Sequence, residues 1–396
     1  MVNRVQRASR PRSFAHLIVG GWSAVLTVML MPHPLPAQSR VATLLAKREL
    51  FISPDTADLS RVGNFSVGPH GQIAIGQPED GTVLVYSASG AKRVLGRTGA
   101  GPGEFRLPGP VQWVGDTLVV PDRVLGRVTE FSDQGVLLGS RRLPVAFPLA
   151  RAPDGSAVRL IDAFLQRMFR GGAFLALSQW RNSTSSGDQG GNRRGVVKLD
   201  ANGNLQRIVV KESDDDPCEF GKGGRSIPIP FCEPETRAFA DDGTWVVYAF
   251  AVGEKIGNVR ARVTAIDSAG GTVFTRELPV PARALTRAFA DSVLAFRMSR
   301  TSHPENVLLY RTMKLREYFP PLLGLVVGRD RSVWLELDSA GGGHLWWVLD
   351  DTGRHVGTLQ LPKSAILQVA DRDQIWTLEE DESGVQGVGR YRVARG

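Results

Sequence analysis

Trp346-Trp347-Val348-Leu349-Asp350-Asp351-Thr352-Gly353 sets a run of strand formers against an apolar-Asp-x-x-Gly turn. The same signature recurs along the chain at Tyr86–Gly90, Phe131–Gly135, Leu199–Gly203 and Ile266–Gly270, with Ser replacing Asp in the first two copies. A β-branched run precedes each copy, as in Thr82-Val83-Leu84-Val85 and Arg262-Val263-Thr264, and another strand-like run follows. This is hairpin chemistry. The Asp or Ser oxygen accepts a backbone hydrogen bond that starts the turn, and Gly takes the left-handed position that closes it.

Two further signals alternate with this turn. Leu-Pro stands eight residues after the turn glycine at Leu143-Pro144, Leu278-Pro279 and Leu361-Pro362, and later than that at Leu107-Pro108. Proline cannot donate to a ladder, so it ends an outer strand. A second turn and strand then follow at His70–Ile75, Gly115–Val120, Asp154–Val158, Asp242–Val247, Asp330–Leu335 and Asp373–Thr377. The unit is four antiparallel strands, and its repetition predicts an all-β six-bladed β-propeller. Six second-strand motifs stand against five outer turns. The sixth unit runs out at Tyr391-Arg392-Val393-Ala394, so the missing outer strand is expected from the other end of the chain, around Glu49-Leu50-Phe51-Ile52. Pairing the two ends removes an exposed sheet edge.

Successive outer turns are 45, 68, 67 and 83 residues apart, whereas a propeller blade takes roughly 40–50. The excess is assigned to insertions at about 183–194, 212–236 and 282–320. The first is a Ser/Gly/Asn tract. The third carries Leu, Phe, Val and Met among Arg and Glu, with a break at His303-Pro304 and a stop at Pro320-Pro321. It reads as a small helical insertion, the alternative being a seventh blade.

Residues 1–37 stand apart. Arg4, Arg7, Arg10 and Arg12 precede the apolar run Leu17–Met31, and Pro32 and Leu35-Pro36-Ala37 follow it. The run is short for a bilayer span, so the segment is expected to be a signal peptide cleaved after Ala37; an uncleaved anchor is the alternative. Residues 38–396 then form a single propeller that is exported, periplasmic or extracellular. Export makes the cysteine pair, Cys218 and Cys232, a disulfide. The chain has 48 basic and 40 acidic residues, and four of the basic ones fall in the leader. No basic stripe of the kind nucleic acids need is visible.

Gly96-Arg97-Thr98-Gly99-Ala100-Gly101-Pro102-Gly103-Glu104-Phe105-Arg106-Leu107-Pro108 resembles the NHL repeat, in which a Gly-rich segment ending Pro-Gly-x-Phe precedes an inner strand. The mature chain resembles the exported bacterial six-bladed propellers of the NHL-like group. That resemblance implies the fold and carries no function. A phosphate-loop reading fails for want of a Gly-Lys-Ser/Thr ending.

Catalytic signals are absent from the sequence. His70, His303, His344 and His355 show no metal-ligand spacing and are expected in exposed turns. There is no Gly-x-Ser-x-Gly elbow. Asp214-Asp215-Asp216 and Glu379-Glu380-Asp381-Glu382 lack the loop pattern of a calcium site. No cofactor is expected, Ca²⁺ being the one ion these clusters would suit, and no metal ligands are assigned. Arg97 and Glu104, flanking the Gly-rich crossover, are the candidate binding residues. The expectation is a monomeric binding module for a protein, peptide or glycan, with no nucleic-acid partner and no membrane span after cleavage. The alternative is a metal-dependent hydrolase, lactonase or lyase with its ligands dispersed around a central channel.

Overall fold

The computed structural model describes residues 41–396, apart from 55–58, 60, 145, 152–156, 185–186, 189–191, 213–217, 223–224, 234, 381 and 383. The leader 1–37 and the acidic run Asp214–Asp216 therefore lie outside the described residues, as do parts of the 183–194 tract and Asp381.

The chain is mostly β, in a propeller-like arrangement of small sheets. β1 (Ala42–Ile52) stands first. A four-stranded sheet follows, β2 (Asn64–Val67), β3 (Ile73–Gln77), β4 (Thr82–Tyr86) and β5 (Lys92–Leu95), in that order. The next repeats the plan with β6 (Gln112–Val114), β7 (Thr117–Asp122), β8 (Arg127–Ser132) and β9 (Leu137–Arg142). The third is enlarged to seven strands: β10 (Ala150–Arg151), β11 (Ala157–Leu160), β12 (Phe164–Met168), β13 (Phe174–Thr184), β14 (Gly187–Asp188), β15 (Arg193–Leu199) and β16 (Leu205–Lys211). A hairpin, β17 (Glu219–Lys222) and β18 (Arg225–Pro228), precedes the next four-stranded sheet, β19 (Thr236–Phe239), β20 (Trp245–Val252), β21 (Arg260–Asp267) and β22 (Thr272–Pro279).

The remaining strands are β23 (Leu322–Val327), β24 (Val333–Leu337), β25 (His344–Leu349), β26 (His355–Leu361), β27 (Ala365–Ala370), β28 (Gln374–Glu380) and β29 (Gln386–Arg395). They form one eight-stranded sheet in the order β23-β24-β25-β26-β1-β29-β28-β27. Six separate four-stranded sheets are thus not what is seen. β1 is the cause. It pairs antiparallel with β29, Leu50 opposite Arg390, as the run-out at Tyr391 implied, and its start also pairs parallel with β26, Ala42 opposite Gly357.

All five outer turns form. Gly90, Gly135, Gly203, Gly270 and Gly353 have φ between 75° and 88°. Asp200, Asp267 and Asp350 each accept two backbone N–H groups through Oδ1, and Ser132 does so through Oγ. One second-strand assignment is corrected. Ala157–Leu160 is a strand, but it pairs with the far end of β13. The strand that follows the third unit's inner turn is β13 itself, after Phe169–Gly172 with Gly171 and Gly172 at positive φ. The signal there was Arg170-Gly171-Gly172, which carries no Asp.

The core lies between sheets. Val83, Leu95 and Phe105 pack on Trp113, Leu118 and Phe131; Val119 and Val128 pack on Phe174 and Leu199; Leu175 and Val209 pack on Phe239 and Val246. Trp245 and Phe274 meet Leu322 and Leu335, Trp334 and Trp346 meet Ile375 and Tyr391, and Trp376 and Val388 return to Phe65 and Ile75. Strands covered on both faces have apolar runs, Ile73–Ile75 in β3 and Leu118–Val120 in β7, while outer strands such as β9 turn side chains toward solvent.

The 282–320 insertion holds two helices, Arg287–Arg300, whose N-cap Thr286 accepts from Phe289 N, and Pro304–Thr312, which starts after His303 without a side-chain cap, broken where His303-Pro304 predicted. They share a small core with the hairpin: Ile227, Leu309, Tyr310 and Met313. The Cys218–Cys232 disulfide closes the loop bearing that hairpin.

Candidate functional site

The first strands of successive units end around one cavity of about 440 Å³. Its wall takes Val67 from β2, Gln112–Val114 from β6, Met168 from β12, Ala240 just after β19, Gly328 just after β23 and Asp371 just after β27. Gln112 holds three of these segments in register. Its Oε1 accepts from Met168 N (2.8 Å), and its Nε2 donates to Met168 O (3.0 Å) and Asp241 O (2.9 Å). The amide is buried and all these bonds are made within protein, so the wall is pre-formed.

Charge enters from the inner turns. Asp241 pairs with Arg167 at 3.5 Å, and Arg329 faces Asp371 at 3.9 Å while donating to Gly68 O. Burial raises the Asp371 carboxyl above the ordinary aspartate range, with Arg329 opposing it and Asp330 and Asp373 reinforcing it. Arg170 and Arg331 are different. Both are exposed at the cavity, and no carboxylate stands within 4 Å of either among the described residues. Arg170 Nη2 lies over Gly115, where a Cβ would stand 2.7 Å away. Arg331 leans on the Trp245 ring at 5.8 Å. Trp113 lines the wall too, and its buried Nε1–H has no partner among the described residues.

The backbone at Arg331 marks it out. Four of the inner turns share one hydrogen-bond pattern, Gly71 N to Gly68 O, Gly172 N to Phe169 O, Gly243 N to Ala240 O and Arg331 N to Gly328 O. At that fourth position φ is 76°, 88° and 70° for the three glycines, and 66° for Arg331. A side chain in this region costs about 1–2 kcal/mol, which glycine does not incur. The chain therefore keeps an arginine at the cavity mouth against its own backbone preference.

The other sequence-chosen residues lie elsewhere. Arg97 and Glu104 pair at 2.8 Å, and Glu104 Oε2 accepts from Gly101 N at 2.7 Å. These bonds hold the Glu104 carboxyl below its usual range. Arg127 clasps the same crossover through Ala100 O, Gly101 O and Glu104 O. Neither Arg97 nor Glu104 lines the cavity. The histidines are not uniformly in exposed turns. His344 lies in β25 against Glu336, and His355 lies in β26, stacked on Trp347 at 4.2 Å, with burial lowering its pKa. His70, exposed in its turn, faces Asp116 at 3.3 Å. Glu379 is spent on Arg48 and the Tyr391 hydroxyl. Among the described residues no three His, Cys, Asp or Glu gather closely enough to share a metal ion.

A second charged feature sits where the disulfide loop and the helical insertion rejoin the sheets. Glu233, directly after Cys232, is buried; Oε2 accepts from Leu322 N at 3.4 Å and Oε1 has no partner among the described residues. Burial pushes its carboxyl up to about 7 despite Leu322 N–H and nearby Arg316. Tyr318 and Glu235 are also raised by burial. The residue signal for this site was present, a lone Glu after a cysteine, but nothing in the sequence marks it as buried.

Neither a scan of protein families nor a search of curated proteins finds a match for this chain. Solved structures do resemble it. A member of the DUF4221 family from Bacteroides vulgatus is 10% identical, with a TM-score of 0.46, over 91% of this chain and all of that one. A gluconolactonase from Xanthomonas campestris is 14% identical, with a TM-score of 0.39, over 89% and 90%. Virginiamycin B lyase from Staphylococcus aureus is 10% identical, with a TM-score of 0.38, over 88% and 99%. At these values the activities in those names do not transfer.

Proposed function

We propose that the chain is an exported six-bladed propeller of the NHL-like kind that binds a carboxylate-bearing peptide or glycan at its axial cavity. Six blades follow if the eight-stranded sheet is counted as two units bridged by β1 and the seven-stranded sheet as one enlarged unit. The circuit of buried clusters supports that count, because the last unit packs back on the first. Export is supported by the leader's composition and by the Cys218–Cys232 bond.

The observation that carries the binding role is Arg331 at φ 66°, where sister turns use glycine. Arg331 and Arg170 offer two guanidiniums with no internal carboxylate, beside the apolar wall of Val67, Met168 and Phe169. Arginine forks match carboxylates in two-point hydrogen bonds. A metal-dependent hydrolase or lyase would need three or four ligands converging on the channel; Asp241, Asp242 and Asp371 line the cavity, but among the described residues no three such groups converge. The test is Arg331→Gly, read twice: by thermal melting and on arrays of acidic peptides and uronic-acid oligosaccharides. The variant should melt higher, relieved of about 1 kcal/mol of backbone strain, and bind at least tenfold more weakly. Undiminished binding to the same array members would remove the proposal.

A further inference from the structure

A second cavity, of about 390 Å³, opens between the second and third sheets, and three prolines shape it. Pro110, Pro121 and Pro144 line its wall, and none has an N–H to extend a ladder. β6 consequently begins only at Gln112, and β9 ends at Arg142. The third sheet is interrupted at the same level. β11 and β12 run along successive parts of β13, and the break between Leu160 and Phe164 leaves Ala163 and Phe164 facing the gap. The result is an apolar pocket floored by Val119, Leu165, Met168 and Phe174. Arg123 stands at it with its guanidinium 5.9 Å from the Phe164 ring centre, and no carboxylate lies within 4 Å among the described residues. Neighbouring Asp122 is buried and already accepts from the N–H groups of Arg106, Leu107 and Leu125, so it is not the partner of Arg123.

We propose that this pocket is a binding site for a small amphipathic carboxylic acid, its aryl or alkyl body against Phe164, Val119 and Phe174 and its carboxylate on Arg123. Ligand sites of this size are mostly apolar with one or two placed polar groups. Phe164, half exposed without a ligand, would be covered by the body of the acid. The site is separate from the axial cavity, although Gln112 and Met168 lie in the wall between the two.

The experiment is calorimetric titration of the protein with 4-phenylbutyrate and with its neutral counterpart, 4-phenylbutanol. The acid should bind saturably, about tenfold more tightly than the alcohol, as one charge-assisted hydrogen bond gives. Arg123→Gln, a change at an exposed side chain, should bring the acid down to the alcohol's affinity and leave the alcohol unchanged. Ala163→Trp, checked for native melting, should fill the pocket and abolish both. Equal binding of acid and alcohol, or an acid affinity indifferent to Arg123→Gln, would overturn the assignment. So would the absence of saturable binding to the unaltered protein.

Discussion

Replacing Glu233 with Gln converts a titrating buried group into a neutral one of the same shape, and the two proteins should diverge with pH. The folded chain holds this carboxyl at about 7, while the unfolded chain releases the proton near 4.5. Between these values the native state binds a proton that the unfolded state has given up. Stability from this group is therefore fully present below pH 4.5 and is lost as pH rises through 7. At about 1.4 kcal/mol per unit, the loss is about 3 kcal/mol by pH 8. For a chain of this length that corresponds to about 4 °C in melting temperature. Wild type and Glu233→Gln should melt together at pH 4.5, and the variant should melt higher at pH 8. The assay is a matched series of thermal melts from pH 4.5 to 8.5 with the disulfide intact. Other titrations, such as those of Asp371 and His355, are common to both proteins and cancel in the difference. A flat difference, or a variant that is less stable at pH 8, would refute the claim that Glu233 is buried with no partner for its second oxygen among the described residues.

Opening the disulfide by Cys218→Ser with Cys232→Ser should cost about 3 kcal/mol in the loop-entropy picture, read by denaturant titration, and should make the β17–β18 hairpin the first site of proteolysis. Gly353→Ala should cost clearly more than Gly90→Ala, although both have positive φ. A Cβ at 353 meets the Phe274 ring and Arg276 at 2.6–2.7 Å, whereas at 90 nothing lies within 4 Å; about 1 kcal/mol is expected at 90 and about 2–4 at 353. Glu379→Ala strips the acceptor from Tyr391 and Arg48, which tie β29 to β1. It should cost about 2–3 kcal/mol and bring the Tyr391 phenol down from about 12, measured by ultraviolet difference titration.

The hairpin grammar was legible because it is local. Asp350 and Gly353 lie three residues apart and define their turn without help from the rest of the chain. The closing strand was legible for a different reason: the sixth unit shows no outer turn around Tyr391–Ala394, and the strand-like run at Glu49–Ile52 has no unit of its own; β1 and β29 pair. What failed was local too. The third unit's inner turn carries Arg170-Gly171-Gly172 in place of an Asp signal, whereas the nearest Asp-Gly, Asp154-Gly155, lies outside the described residues and precedes a strand that pairs with the far end of β13.

The cavity was illegible for a stronger reason. Its wall is drawn from segments spread between Val67 and Asp371, a few residues from each unit, and no spacing rule links them. Arg97 and Glu104 flank a Gly-rich motif that is conspicuous in sequence but lies away from this cavity, and one of its glycines has a packing role. A Cβ on Gly96 would strike the Phe105 ring at 2.5 Å, and Phe105 is wholly buried between the first two sheets. One clue to the cavity does exist in the sequence once the repeat is aligned on its turns. Where His70-Gly71 and Asp242-Gly243 place glycine, Asp330-Arg331 places arginine. A repeat states what its scaffold requires, so a copy that departs from the requirement at energetic cost points to a demand from outside the scaffold. Arg331 is such a departure, and it stands at the mouth of the cavity.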